Sequence, residues 1–170
     1  GGPEVPPGGG RAPRHGVLQA EQLGTGHAVQ QAMPGIADDH QVLVLYGDVP
    51  LLRAQTVQEL RARAGTRGVA LLTAMLDDPA GYGRIVRDRR GGLRRIVEET
   101  DAGAAERRIR EINSGVLAAP ARLLRDWLAR LQPRNSQHEY YLTDVAASAV
   151  RQKIAVATVR ALDPTEILGV

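Results

Sequence analysis

Two short apolar runs, separated by an amphipathic stretch, constrain this chain more than any other feature. Residues 41–45 read QVLVL and residues 68–75 read GVALLTAM. Near-continuous runs of β-branched and aliphatic residues at this length are strands covered on both faces. Between them, residues 55–63 put Val57, Leu60 and the following Ala64 on one face of a helix. Strand, helix and strand in that order imply an α/β architecture with a mostly parallel sheet. The alternation continues downstream. Residues 84–87 and 93–98 read as two strands joined by an Arg-Gly turn, and residues 111–117 as another. Residues 122–131 form an amphipathic helix with Leu123, Leu124, Trp127, Leu128 and Leu131 on its apolar face. Residues 141–150 begin a further helix, which Thr143 or Asp144 is suited to cap, and residues 154–159 form a last strand. Short helices fit residues 28–33 and 104–110.

Composition narrows the possible chemistry. The 170 residues suffice for one domain with a core, built from Leu, Val, Ile and Ala because Phe is absent. The absence of cysteine excludes disulfides, thiolate chemistry and cysteine-ligated metals within the chain. Arginine supplies nearly all the positive charge, since Lys153 is the one lysine. Arg87, Arg89, Arg90, Arg94 and Arg95 cluster around Gly91-Gly92, but Asp88, Glu98 and Glu99 break the field and no aromatic is interleaved. A solvated hairpin is expected there, and no nucleic-acid partner. No apolar run reaches membrane-span length and no secretory signal opens the sequence, so no membrane insertion and a cytoplasmic location are expected. Residues 1–16, rich in Pro and Gly, read as a disordered leader to a domain spanning 17–170.

Ligand sites in α/β sheets lie beyond the carboxyl ends of strands. Tyr46-Gly47-Asp48 occupies such a position after the first run, and a second such loop follows Met75. A carboxylate at Asp48 suits Mg²⁺, which takes one or two protein oxygens beside phosphates; the bland reading is a turn closed by Pro50. Gln19 and Gln22 flank Gly24-Thr25-Gly26. A glutamine amide has the donor and acceptor to pair with a uracil edge, while the glycines admit close approach or merely form an exposed loop. Gly83, Glu98, Asn113 and Thr143 stand near strand ends or a helix start, where they suit a sugar or serve as ordinary turn and cap residues. His27 reads as structural. Phosphate-loop, dinucleotide, nucleophile-elbow and zinc-protease patterns are all missing from the sequence.

Taken together, the segments VLQAEQLGTGHAVQQA (17–32), VLYGDVPLL (44–52), LLTAMLDDPAGYGRIVR (71–87), IVEETDA (96–102), EINSGVL (111–117) and NSQHEYYLTD (135–144) carry a resemblance. In order and spacing they resemble the uridylyltransferase (pyrophosphorylase) domain of the bacterial bifunctional N-acetylglucosamine-1-phosphate uridylyltransferase/glucosamine-1-phosphate acetyltransferases. The resemblance implies a Rossmann-like nucleotidyltransferase fold with a mostly parallel or mixed sheet. It implies an enzyme of cell-wall precursor synthesis, joining UTP and N-acetylglucosamine 1-phosphate into UDP-N-acetylglucosamine and pyrophosphate with Mg²⁺. By motif, it makes Gln19, Gly24 and Thr25 uridine-recognising and Asp48 the Mg²⁺ ligand and catalytic residue, with Tyr46 and Gly47 lining the same site. Gly83, Glu98, Asn113, Tyr141 and Thr143 match positions around the sugar and its N-acetyl group.

The departures generate expectations of their own. The family's opening strand and glycine-rich loop, with the arginine and lysine that meet the triphosphate, have no match in residues 1–16. Thr100 stands where a lysine is usual, and Ser114 where a threonine is usual. The family continues past Glu166-Ile167-Leu168-Gly169-Val170 to an asparagine that is the second Mg²⁺ ligand, and then to an acetyltransferase β-helix that makes the intact relatives trimeric. A partial domain with impaired turnover is therefore expected. The alternatives are a non-catalytic UDP-sugar-binding remnant and another sugar-1-phosphate nucleotidyltransferase.

Overall fold

The computed structural model describes residues 15–49 and 51–168. The expectations for most of the leader and for the last two residues lie outside that range. The strands are β1 (Gln41–Val44), β2 (Val69–Met75), β3 (Gly83–Arg87), β4 (Leu93–Val97), β5 (Glu111–Pro120) and β6 (Val156–Arg160). The helices are α1 (Thr25–Ala32), α2 (Ala54–Ala64), α3 (Ala104–Arg107), α4 (Ala121–Leu128) and α5 (Asp144–Arg151). The sheet runs β4-β3-β5-β2-β6, with β1 also beside β5.

The sheet is mixed rather than mostly parallel. Among the described residues only β2 and β6 pair in parallel; β1 with β5, β2 with β5, β3 with β4 and β3 with β5 are antiparallel. The β3–β4 hairpin turns the chain back through a tight loop, which parallel pairing does not permit. β5 then runs between its neighbours in the opposite sense. β2 lies along one edge of β5 from Ala118 to Glu111. The other edge is shared end to end: β1 pairs with Leu117 to Pro120, and β3 pairs with Asn113 and Ile112.

Core side chains divide between the faces. Val69 and Leu71 of β2 meet Leu124, Trp127 and Leu128 of α4 and Val145, Ala146 and Ala149 of α5. Ala70, Leu72 and Ala74 pack with Leu60 and Ala64 of α2 and with Ile167 from the 3-10 turn Pro164–Ile167. Burial on both faces is why β2 reads as an unbroken apolar run. Helix ends depart from expectation by up to three residues: α1 begins at Thr25 instead of residue 28, and α4 ends at Leu128 instead of residue 131. α3 ends at Arg107, and α5 begins at Asp144 instead of residue 141. The residues before α5 use their backbone elsewhere: Tyr140 N–H donates to Leu23 O at 2.8 Å and Tyr140 O accepts from Gly26 N–H at 2.7 Å. Those groups are then not available to a helical turn.

One partly buried ion pair braces four strands. Arg87 Nε and Nη2 reach the two oxygens of Glu111 at 2.8 and 2.6 Å; Thr73 donates to Glu111 Oε1 at 3.1 Å, and Arg87 Nη2 donates to Thr158 Oγ1 at 3.0 Å. Burial alone would raise the Glu111 pKa. The Arg87 hydrogen bonds and charge, the Thr73 hydroxyl and the Arg160 charge together hold it below the ordinary carboxylate value.

The interval of β5 between its two edge partners contains Gly115, with φ +84°. The Tyr46 ring fills the space over its Cα: a Cβ there would overlap ring atom Cε2 and lie 2.8 Å from Cζ. Both the left-handed backbone and the ring demand glycine.

Gly115→Ala is expected to destabilise the fold by about 3 kcal/mol, from the backbone strain and the ring clash together. In a Tyr46→Ala background the same substitution should retain only the backbone part, about 1–2 kcal/mol. Urea melts of the four proteins measure the coupling, and additive costs would contradict the contact. Arg87→Met leaves Glu111 buried without its cation and should cost about 2–4 kcal/mol at pH 7. Because the folded Glu111 pKa is depressed, the stabilisation is present above the ordinary carboxylate range and is lost as pH falls through the folded value. The gap between parent and variant should therefore narrow toward pH 3.

Candidate active site

The glycine loop and the EYYLTD segment fold onto one another. Gly24, at φ +108°, and Gly26 bring the loop against the backbone of residues 139–140; a Cβ on either would lie 2.8 Å from Tyr140 O. Thr25 Oγ1 accepts from Leu142 N–H at 3.1 Å. The glycines are therefore required by a backbone of this chain, whatever a ligand adds.

Beside this seam lies a cavity of about 460 Å³, within the range of small-ligand sites. Thr25 and Tyr46 form part of its wall, with Gly83 and Asn113 from the sheet, Glu98 just past β4, and Tyr141 and Thr143 from the segment before α5. These expected site residues, from six separate stretches of sequence, thus converge. Gly83 makes room for an acid: a Cβ there would lie 3.0 Å from Glu98 Oε2. Thr143 occupies the N-cap position of α5 without capping it, because its hydroxyl donates to Glu98 Oε1 at 2.8 Å. Asp144 does not cap it either; it is the first helical residue.

The electrostatics of the cavity follow from burial. Glu98 has its pKa raised, chiefly by desolvation and further by the charges of Asp144 and Asp101, against the opposing Thr143 hydrogen bond. Desolvation also raises Tyr46, with Glu98 and Asp48 adding to it and the Thr25 hydroxyl opposing, so the phenol stays neutral and able to donate. Asn113 is buried, and its Oδ1 has no hydrogen-bond partner among the described residues. The residue also lines the cavity, so its side-chain amide is one of the polar groups there.

Other expected residues lie outside the cavity lining. Gly47 borders a neighbouring apolar groove formed by α1 and β1. Asp48 is exposed in the turn after β1, close enough for its charge to act on Tyr46. No group of three or more His, Asp or Glu suited to a metal ion occurs among the described residues. A single exposed carboxylate at a strand end still fits Mg²⁺, which keeps several waters and takes its other ligands from phosphates. Gln19 is half-buried beside the glycine loop, and its Nε2 donates to Gly24 O at 3.3 Å.

Sequence reasoning overlooked part of the wall. Glu99, Gln137 and Glu139 line the cavity, as does Thr100. Glu99 accepts from the buried Arg84 at 2.5 Å. Gln137 and Glu139 come from a loop with no periodicity to flag them. Ser114 also reaches the cavity, but its hydroxyl donates to Leu72 O at 2.9 Å. Three carboxylates, Glu98, Glu99 and Glu139, and no lysine or arginine line this space.

Comparison with known proteins agrees with this geometry. The family described as nucleotidyl transferase matches residues 14–161. The chain is 56% identical over 154 residues to the bifunctional protein GlmU of Alkalilimnicola ehrlichii, covering 91% of this chain and 33% of that protein. It is 55% identical over 154 residues to the bifunctional protein GlmU of Pseudomonas aeruginosa, covering 91% of this chain and 34% of that one. The chain thus spans about a third of the length of these relatives. Among solved structures, a Bacillus anthracis protein assigned as a glucose-1-phosphate thymidylyltransferase, crystallised with sucrose, superposes with a TM-score of 0.61 at 16% identity, over 83% of this chain and 54% of that one. That likeness shows the fold. With the family match running from the glycine loop to the end of β6, across every strand of the sheet, this chain belongs to the nucleotidyl transferase family.

Proposed function

We propose that this chain carries the base and sugar subsites of a uridylyltransferase that joins UTP and N-acetylglucosamine 1-phosphate into UDP-N-acetylglucosamine and pyrophosphate. The observation that carries the reading is the convergence of Glu98, Asn113, Tyr141 and Thr143 on one cavity whose buried Asn113 oxygen lacks a partner. The extent of identity to the bifunctional GlmU proteins supports the same substrates.

In this reaction an oxygen of the sugar phosphate attacks the α-phosphorus of UTP. The bond from that phosphorus to the bridging oxygen breaks, and pyrophosphate leaves with the electron pair. No protein nucleophile is needed, so the residues act by positioning. Glu98 and Asn113 accept from sugar hydroxyl or amide groups, and Thr143 orients Glu98. Asp48 would hold Mg²⁺, which when bound offsets charge on the phosphates. The substrates and the absence of a described membrane-spanning helix fit work in the cytoplasm.

Glu98→Gln separates the cost of this site from its use. A raised carboxyl pKa means the native state holds the proton more tightly than the unfolded state. Stability therefore falls as pH rises from the ordinary carboxylate value through the raised one. The variant keeps an acceptor for Thr143 but lacks that slope. It should melt above the parent at pH 8, with the gap closing by pH 4. In calorimetric titration at pH 8 with Mg²⁺, its affinity for UDP-N-acetylglucosamine should drop about tenfold, as for a lost charged acceptor. No binding by the parent, or equal binding by both, sinks the reading. Thr100→Lys adds a cation to an acidic cavity. It should strengthen binding of N-acetylglucosamine 1-phosphate about threefold to tenfold, screened by salt, and leave N-acetylglucosamine itself unchanged. Equal effects on both ligands would contradict a charge effect.

A further inference from the structure

His27, in the first turn of α1, is held between two glutamines. Its Nδ1 lies 3.1 Å from Gln19 Nε2, and its Nε2 lies 3.1 Å from Nε2 of Gln31, four residues along the helix. Gln19 Nε2 also meets Gly24 O at 3.3 Å. That carbonyl is itself fixed, because it accepts from Ala28 N–H at 3.1 Å.

These bonds determine the proton positions in sequence. A backbone carbonyl only accepts, so the end of the Gln19 amide facing the loop is the NH₂ group. Nδ1 of His27 faces that same NH₂ group and must accept from it. A neutral imidazole accepting at Nδ1 carries its hydrogen on Nε2. That N–H cannot bond the Gln31 NH₂ group it faces, so the Gln31 amide has to make a half turn, which puts Oε1 in the place of Nε2 and supplies the acceptor. The outcome for Gln19 is a fixed orientation with Oε1 as its free end.

We propose that His27 is a positioning residue for base selection, holding Gln19 with its carbonyl oxygen outward so that the site favours a pyrimidine whose N3 bears a hydrogen over one whose N3 is an acceptor. The proposal rests on the reading of Gln19 as base-facing. Uracil presents N3–H as a donor, whereas cytosine presents a bare N3. A freely turning glutamine pairs with either base by offering oxygen to one and NH₂ to the other. Holding the amide removes the second option, and an opposed acceptor pair then penalises cytosine.

The test uses the full chain. Long-range ¹H–¹⁵N spectra at pH 8 should show His27 as the Nε2–H tautomer, and an Nδ1–H tautomer overturns the proposal. In competition binding with Mg²⁺, the parent should prefer UTP to CTP. His27→Ala should cut that preference about tenfold, the worth of roughly one hydrogen bond, chiefly by improved CTP binding. Gln31→Ala, which frees the far side of the ring, should lower it in the same direction and serves if His27→Ala fails to fold. An unchanged ratio in the histidine variant (or in Gln31→Ala where that variant stands in for it), while Gln19→Ala abolishes the preference, overturns the role of His27 alone. A parent without preference, or Gln19→Ala with an unchanged ratio, overturns the base-facing reading and the proposal with it.

Discussion

The contact of the Tyr46 ring with the Gly115 backbone is the constraint on which the site depends. β5 has to serve β1 and β3 on the same edge, so some part of that edge lies between them without a ladder. A left-handed glycine re-aims the strand at that point, and the ring occupies the space a side chain would take. Tyr46 comes directly off β1, so the sheet's own geometry delivers it to the wall. It borders both the polar cavity and the apolar groove beside α1, together with Thr25. A neutral phenol suits that position, because its ring faces apolar groups while its hydroxyl serves the polar side.

Strands were legible wherever burial on both faces wrote itself as an apolar run, as in β2. Direction was not legible. The strand-helix-strand order of β1, α2 and β2 suggests parallel neighbours, but β5 comes between them and pairs with both in the opposite sense. Long-range insertion of that kind leaves no local trace. Helix starts were misjudged for a related reason: residues 141–143 have helical composition, yet the preceding Tyr140 is bonded to the glycine loop and Thr143 to Glu98. Within the site, the resemblance supplied residues that no periodicity marks, such as Asn113 and Tyr141. The local reason for Gly24 and Gly26 was hidden, since their neighbour is a backbone more than a hundred residues away. His27 was read as structural because neither glutamine partner is apparent from a lone histidine.

Two glutamates show how the same side chain is put to different ends. Glu111 is buried with its charge met on every side, by Arg87, Thr73 and Arg160, and its carboxyl is held below the ordinary value. Glu98 is half-buried with one hydroxyl and two nearby acids, and its carboxyl is held above it. The first arrangement stabilises the sheet. The second costs stability, which is the pattern of groups kept for a site rather than for the fold. The two lie at opposite ends of the β3–β5 region, so the bracing of one end tolerates the deficit at the other.

The distribution of arginines then limits how an anionic ligand is held. Arg84 is paired with Glu99, Arg87 with Glu111, Arg95 with Glu106, Arg110 with Asp77 and Arg125 with Asp38. These cations are engaged within the fold, and the cavity wall is acidic. The sugar end of a nucleotide sugar is neutral and suits such a wall, as the base suits the uncharged Gln19 and Thr25. Under the proposed reading the phosphates between them do not, because an added negative charge is repelled by Glu98 and Glu139, Glu99 being paired with Arg84. Their charge has to be met by cations from outside that wall. Asp48 is exposed in the turn after β1 and its charge acts on Tyr46 in that wall, so a cation held at Asp48 would offset part of the acidity.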